Sequence, residues 1–317
     1  MLSTASAASA AFSGPSRWGP PEAPSWPQPN GIKPLRNTRY RLRVHRETVN
    51  GILFYQFEGL DGAGLTHAIL TRLGGVSQGP FATLNLGHTV GDDLNAVQEN
   101  HRRVFALFGV DRGQVVSPYQ VHSAHIRPVG REHGGTVQNS TDGLLTTTPG
   151  LMLLFRFADC VPLLLWDPVH RAVGLAHAGW RGVANGVVRA AVEAFVRHVG
   201  SRPEDLWAGI GPAIGPCCYR VGPEVVAAVA GAMHVGATHA SPLHASPLHA
   251  SSLLVHRRAD GLYLDLPGVV RAELEAQGVR QIETSGICTA CRTDEWFSHR
   301  AEGGRTGRFG VLVMLDR

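Results

Sequence analysis

The chain has 317 residues, 44% of them hydrophobic, and carries 29 Lys+Arg against 25 Asp+Glu for a net charge of +4, a composition that suits one large domain or two small ones with a sizeable core. Lys33 is the only lysine and stands in the Pro-rich stretch Trp26-Pro27-Gln28-Pro29-Asn30-Gly31-Ile32-Lys33-Pro34. That excludes a Walker A phosphate loop, a Schiff-base enzyme, a protein kinase and a Ser-x-x-Lys acyl enzyme, each of which needs a lysine at a defined place.

Residues 1–49 read as a disordered or variable N-terminal extension. Its first part is rich in Ala, Ser and Pro, without the basic leader and apolar stretch of a signal peptide. The basic excess is local to Lys33 through Arg46, so nucleic acid is not an expected partner. Within it, Arg39-Tyr40-Arg41-Leu42-Arg43-Val44 alternates as an exposed strand does. A catalytic domain is expected over 50–317. Gly51 to Phe57 and Thr66 to Arg72 read as strands, followed by a Gly-rich loop to Asp93. Asn95 to Phe108 has helical spacing, with Asp92 or Asp93 placed to cap it.

Strand-like runs at Leu151 to Phe157 and Val161 to Trp166 flank Ala158-Asp159-Cys160. Arg156 and Asp159 break this most apolar region, so no membrane span is expected. Arg171 to Ala176 leads into a strand-to-helix turn at His177, and Val183 to Val199 reads as an amphipathic helix. The tandem Ala-Ser-Pro-Leu-His repeat spaces His234, His239, His244 and His249 five apart, a period matching neither helix nor strand, so 236–256 is read as a low-complexity loop insertion. Gly261 to Leu266 reads as a strand and Pro267 to Gln277 as a helix. Mixed strands and helices without a βαβ rhythm predict an α+β sandwich of mixed sheets flanked by helices.

Five cysteines without a framework of pairs fit a reducing, cytoplasmic compartment. Cys288-x-x-Cys291 resembles half a zinc ribbon or a redox pair. Because Cys217 and Cys218 are adjacent, a four-cysteine zinc site is not expected. On spacing alone His122, Cys160 and His177 read first as a core cysteine with two hydrogen-bonded histidines, and second as a set of zinc ligands with one open position.

The wording around them is more specific. Thr71-Arg72-Leu73-Gly74-Gly75-Val76-Ser77, Leu84-Asn85-Leu86-Gly87, Val90-Gly91-Asp92-Asp93, Gln120-Val121-His122, Ala158-Asp159-Cys160-Val161-Pro162 and His177-Ala178-Gly179-Trp180-Arg181-Gly182, in this order, resemble the YfiH family. Its members have been named both laccase-domain polyphenol oxidases and purine nucleoside phosphorylases. Ile210 through Pro216, Cys288-Thr289, Phe297-Ser298-His299-Arg300 and Thr306-Gly307-Arg308 extend the resemblance over roughly residues 50 to 315. Ala301 and Arg220 depart from the family wording and bear on substrate preference.

The resemblance implies a cysteine-hydrolase-like fold and a metal held by His122, Cys160 and His177, with Zn²⁺ expected ahead of Cu²⁺. It implies phosphorolysis of adenosine, inosine, guanosine and methylthioadenosine, with adenosine deamination beside it. Purine nucleosides and phosphate are then the partners, with Arg72 and Arg181 the expected phosphate ligands. Either arginine also reads as a surface salt bridge, Asn85 as a ribose or base contact or a turn cap, and Asp159 as an orienting carboxylate or a strand-end turn residue. The alternatives are a cysteine-type amidase editing peptidoglycan precursors, with Cys160 as nucleophile and His177 as base, and a copper polyphenol oxidase, for which the chain lacks His-x-His pairs.

Overall fold

The computed structural model describes residues 44–236 and 254–317. One sheet has seven strands in the order β1 (Val44–Val49), β2 (Ile52–Phe57), β3 (Leu65–Leu70), β16 (Phe309–Leu315), β8 (Met152–Phe157), β4 (Val115–Pro118) and β6 (Val137–Gln138). A second has six, in the order β15 (Gln281–Thr284), β11 (Trp207–Ile210), β9 (Val161–Asp167), β10 (Ala172–Ala178), β7 (Gly143–Thr146) and β5 (Ile126–Pro128). A small antiparallel sheet joins β12 (Arg220–Val221), β14 (Gly261–Leu264) and β13 (Val255–Arg258). The fold is α+β, as expected.

Period-two alternation decides the layering, because successive side chains of a strand point to opposite faces. Leu53, Tyr55 and Phe57 of β2, Leu153, Phe155 and Phe157 of β8, Leu164 and Trp166 of β9, and Val173 and Leu175 of β10 share one core between the two large sheets. The alternate residues Ile52, Phe54, Met152 and Leu154 face the other way, where Val104 of helix α1 (Leu94–Leu107) covers them. Leu163 and Leu165 of β9 and Ala176 of β10 pack instead with helices α3 (Val187–Val199), α4 (Pro223–Gly236) and α5 (Leu266–Ala276). With both faces covered, β9 and β10 are buried throughout, the pattern of a sheet enclosed between layers.

Several boundaries move. β1 pairs with β2 from Val44↔Phe57 to Val49↔Ile52, so the sheet already includes residues that lie before position 50. β13 likewise claims Val255 and His256 from the expected insertion; the repeat itself lies outside the described residues. The long helix expected from Val183 divides into a short α2 (Trp180–Ala184) and α3. Gly186 separates them at φ 82°, left-handed backbone that glycine tolerates and a continuous helix does not. Asp93 caps α1 by accepting the Asn95 N–H at 2.9 Å. Among the described residues no helix is long and apolar enough to cross a membrane.

Parallel pairing is confined to few places, and two of them matter. β4 runs parallel to β8 and β11 parallel to β15, so in each pair the two C-terminal loops leave from the same edge. The second pair brings Cys217 and Cys218 against Cys288 and Cys291, all four thiols within 4.8 Å of one another. Spacing argues against a four-cysteine zinc site, yet the four thiols meet: strand pairing supplies the proximity that spacing cannot.

Two buried histidines make the fold acid-sensitive. His67 accepts the Phe57 N–H at Nε2 and His101 lies 3.0 Å from the Leu86 carbonyl oxygen. Burial, the largest cause in each case, lowers them to about 4 and about 3. The unfolded chain binds protons from about pH 6.5 downward while the folded chain stays neutral, so stability is complete above pH 6.5 and falls on acidification. Urea unfolding should show a loss of about 1.4 kcal/mol per pH unit per histidine between pH 6.5 and 4. His67→Gln, which keeps an acceptor for the Phe57 N–H, should remove the His67 share of that slope.

Candidate metal centre and its cleft

The β4–β8 pairing extends past the end of β4 through a side chain. Gln120 donates from Nε2 to the Arg156 carbonyl oxygen at 2.9 Å and accepts the Arg156 N–H at 3.2 Å, imitating one more residue of the ladder. This sets the 119–122 loop beside the end of β8, where the chain reverses at Ala158-Asp159-Cys160 into β9. The antiparallel pairing of β9 with β10 sets His177 opposite Pro162, bringing Cys160 and His177 to the same end. His122 and Asp159 both take positive φ, 62° and 86°, an uncommon backbone state for residues with a Cβ and one that recurs at functional sites.

The three side chains converge. Cys160 Sγ is 3.8 Å from His122 Nε2, the two imidazole rings are 4.8 Å apart at 71°, and the ligand atoms of all three lie within 4.8 Å of one another. A Cβ on Gly179 would come within 2.7 Å of the His122 ring and 2.9 Å of Cys160 Sγ, so no side chain fits there. Two imidazoles and a thiol form the borderline-soft donor set that suits Zn²⁺ and leave a fourth position open.

Asp142, fully buried, organises this geometry and has no local signature in the sequence. Its Oδ1 accepts the His122 N–H at 3.0 Å and lies 2.9 Å from His177 Nδ1. Its Oδ2 accepts the Val121 and Ser123 N–H groups and the Ser123 hydroxyl. With Nδ1 turned to Asp142, His177 presents Nε2 to the site. Burial raises the Asp142 carboxyl, but the His177 and Ser123 hydrogen bonds outweigh it and hold the group at about 2. Burial also pushes the Cys160 thiol up and the His177 imidazole down. Their mutual attraction, reinforced by His122 on the thiol and Asp142 on the imidazole, brings Cys160 to about 6 and His177 to about 9. The thiolate that a metal requires is thus favoured near neutral pH.

His122, Cys160 and His177 lie in the wall of a cleft of about 1420 Å³, which Arg102, Arg112, Arg156, Arg181, Arg300 and Arg308 also line. Arg181 lies over the Trp180 ring at 4.5 Å and Arg300 over Tyr219 at 5.2 Å. Burial lowers the Arg156 guanidinium to about 10, and it donates to the Pro118 carbonyl oxygen. Of the expected substrate contacts, only Arg181 lies in this wall.

Arg72 points elsewhere. It donates to the carbonyl oxygens of Ala82 and Thr293, pairs with Glu302 at 2.9 Å, and stacks on Phe297. Asn85 is fully buried, bonded to Asp92 and Gly87, and accepts the Arg308 N–H at 2.8 Å; it holds a cleft arginine rather than a ligand. Asp159 accepts the Thr289 and Ser298 hydroxyls and the Arg300 N–H. It ties down the loops behind Cys160, and the carboxylate on the histidine is Asp142. Arg300 and Arg308 stood in family-like motifs, and their place in the cleft wall comes from tertiary structure.

Asp142→Asn, which sets an amide donor among N–H groups, should leave a folded protein whose affinity for a divalent metal at this centre is about 10- to 100-fold below that of the unsubstituted chain, read by competition with a chromophoric chelator. Arg72→Lys keeps the charge but loses the forked contacts. It should cost about 1–3 kcal/mol in chemical denaturation.

The family described as multi-copper polyphenol oxidoreductase laccase matches residues 66–316. The chain is 39% identical over 265 residues to the purine nucleoside phosphorylase YlmD of Geobacillus stearothermophilus, covering 80% of this chain and 91% of that protein. It is 36% identical over 251 residues to the purine nucleoside phosphorylase of Deinococcus radiodurans, covering 79% and 89%. The crystal structure of YlmD from Geobacillus stearothermophilus matches with a TM-score of 0.77 at 34% identity, over 87% of this chain and 100% of that one. That of the Bacillus licheniformis hypothetical protein YfiH gives 0.74 at 34%, over 84% and 97%. The chain belongs to the multi-copper polyphenol oxidoreductase laccase family, which includes YfiH and YlmD.

Proposed function

We propose that the protein is a zinc-dependent purine nucleoside phosphorylase acting on adenosine, inosine, guanosine and methylthioadenosine, with adenosine deaminase activity at the same site. The observation that carries this reading is the placement of the His122, Cys160 and His177 donor set in one arginine-lined cleft. The relatives named purine nucleoside phosphorylase support it.

In phosphorolysis a phosphate oxygen forms a bond to the ribose anomeric carbon as the bond from that carbon to the purine nitrogen breaks. The base leaves with the electron pair and takes up a proton, and ribose 1-phosphate remains. The phosphate must be held and its charge balanced, which falls to Arg156, Arg181, Arg300 and Arg308. Among the described residues no carboxylate is in ion-pair contact with Arg156, Arg181 or Arg308; Cys160, Asp159 and Glu302 act on Arg308 from a longer distance, and the charge of Arg156 and Arg181 is available to an anion. Trp180 and Tyr219 offer aromatic faces to the base. Zn²⁺ held by His122, Cys160 and His177 would supply Lewis acidity beside the arginines.

The cysteine-hydrolase reading draws on the same thiolate and imidazolium, with Cys160 as nucleophile and His177 as base. It leaves His122 and the arginine wall without a task. A copper polyphenol oxidase needs a histidine-rich, multi-site ligand set. Among the described residues there is one His-Cys-His set and one all-cysteine cluster.

Purified protein incubated with adenosine should release adenine only when phosphate is present, and inosine with or without it, resolved by chromatography. Cys160→Ala and His122→Ala should stay folded and lose both activities. Arg308→Gln should lower kcat/KM for phosphate about 10- to 100-fold through loss of charge-assisted hydrogen bonds. Absence of free base and of inosine under every condition, with zinc bound, would sink the proposal. A metal-free protein that is alkylated at Cys160 and cleaves an amide would establish the rival.

A further inference from the structure

We propose that Cys217, Cys218, Cys288 and Cys291 form a second metal centre, a structural tetrathiolate zinc site distinct from the His122, Cys160 and His177 set. Sγ of Cys291 lies 3.4 Å from Sγ of Cys217 and 3.4 Å from Sγ of Cys218, and all four sulfurs fall within 4.8 Å of one another. A Zn–S distance of about 2.3 Å places sulfurs about 3.8 Å apart along each edge of a tetrahedron, so the cluster already spans such a shell. No disulfide joins these cysteines; sulfurs 3.4 Å apart lie well beyond a bond of about 2.05 Å.

The backbone is prepared for ligation. The loops after β11 and β15 are pinned together by the Ala213 N–H on the Ile287 carbonyl oxygen at 3.2 Å and the Thr289 N–H on the Ala213 carbonyl oxygen at 3.1 Å. The Gly215 N–H points at Cys288 Sγ, 3.2 Å away, a contact that favours a thiolate. Four thiols binding one Zn²⁺ release four protons and leave a net charge of −2. Arg258 stands beside that charge, its guanidinium donating to the carbonyl oxygens of Pro216 at 2.9 Å and Cys217 at 3.1 Å. Cys291 is exposed and the other three are half-buried, which gives a metal a path in. All four positions are filled by protein, the closed arrangement of a structural rather than a catalytic site.

Its role follows from what the loops carry. Tyr219, directly after Cys218, lines the cleft, and Thr289, directly after Cys288, donates its hydroxyl to Asp159 at 2.7 Å. A metal joining the loops would staple the cleft wall to the turn that presents Cys160.

The test uses the full chain carrying Cys160→Ala, which removes the thiolate of the first centre, stripped with a chelator and titrated with Co²⁺. One equivalent should bind with the intense visible bands and sulfur-to-metal charge transfer of tetrahedral tetrathiolate cobalt, displaced by one equivalent of Zn²⁺. Adding Cys288→Ser and Cys291→Ser should abolish that spectrum. Should the added changes prevent folding, iodoacetamide labelling of the Cys160→Ala protein decides: bound zinc should protect all four cysteines, and chelation should expose them. Cobalt binding without sulfur charge transfer, or equal labelling with and without zinc, would overturn the proposal. Neither readout involves nucleoside turnover, so the outcome stands apart from the fate of the phosphorylase reading.

Discussion

A fully buried carboxylate is costly unless donors surround it, and at Asp142 five donor groups do so. Three are consecutive backbone N–H groups, those of Val121, His122 and Ser123; the Ser123 hydroxyl is a fourth and the His177 ring a fifth. The same atoms that satisfy the charge fix the positive-φ backbone of His122 and the ring orientation of His177. Satisfaction of one buried charge and assembly of the metal centre are therefore a single structural requirement. Cys160 enters by another route, held from behind by the Asp159 contacts to Thr289, Ser298 and Arg300.

The two sulfur-bearing clusters obey one topological rule. Antiparallel neighbours send their C-terminal loops to opposite ends, whereas a parallel pair sends both to the same edge. In sheets that are mostly antiparallel, β4 beside β8 brings His122 to Cys160, and β11 beside β15 brings the adjacent cysteines to the Cys-x-x-Cys loop. Each set thus combines residues far apart in sequence. Between them run Tyr219, Thr289 and Arg300, linking the cleft wall to the outer cluster.

With lysine nearly absent, arginine carries the positive charge, and burial and partners sort the arginines into distinct tasks. Arg72, paired with Glu302 and bonded to two carbonyl oxygens, behaves as a structural cross-brace. Arg156, Arg181 and Arg308 enter the cleft wall without a carboxylate partner among the described residues. A guanidinium held by a half-buried carboxylate and two carbonyl oxygens cannot also receive phosphate. Pairing, rather than residue type or motif, therefore separates the two groups.

Hydrophobic periodicity was enough to place β2, β8, β9, α1 and most of α3 within a few residues, because each writes its own period locally. The layered α+β class followed from the succession of those periods, and the ordered motifs carried His122, Cys160 and His177. Other features had no local trace. Asp142 stands in an ordinary turn sequence, and its importance arises only when the 121–123 loop and β10 meet over it. Arg72 and Asn85 looked like ligand contacts because they share motifs with glycines, yet their polar atoms are consumed by Glu302 and by the Arg308 backbone. Spacing argues against a four-cysteine zinc site, and strand order brings the four thiols together all the same. By itself the sequence determined the elements, the layers and the chemical types of the donors, since those depend on near neighbours along the chain. Only the tertiary structure decided which donors meet and which charges are already paired, since that depends on strand pairing between segments separated by many intervening residues.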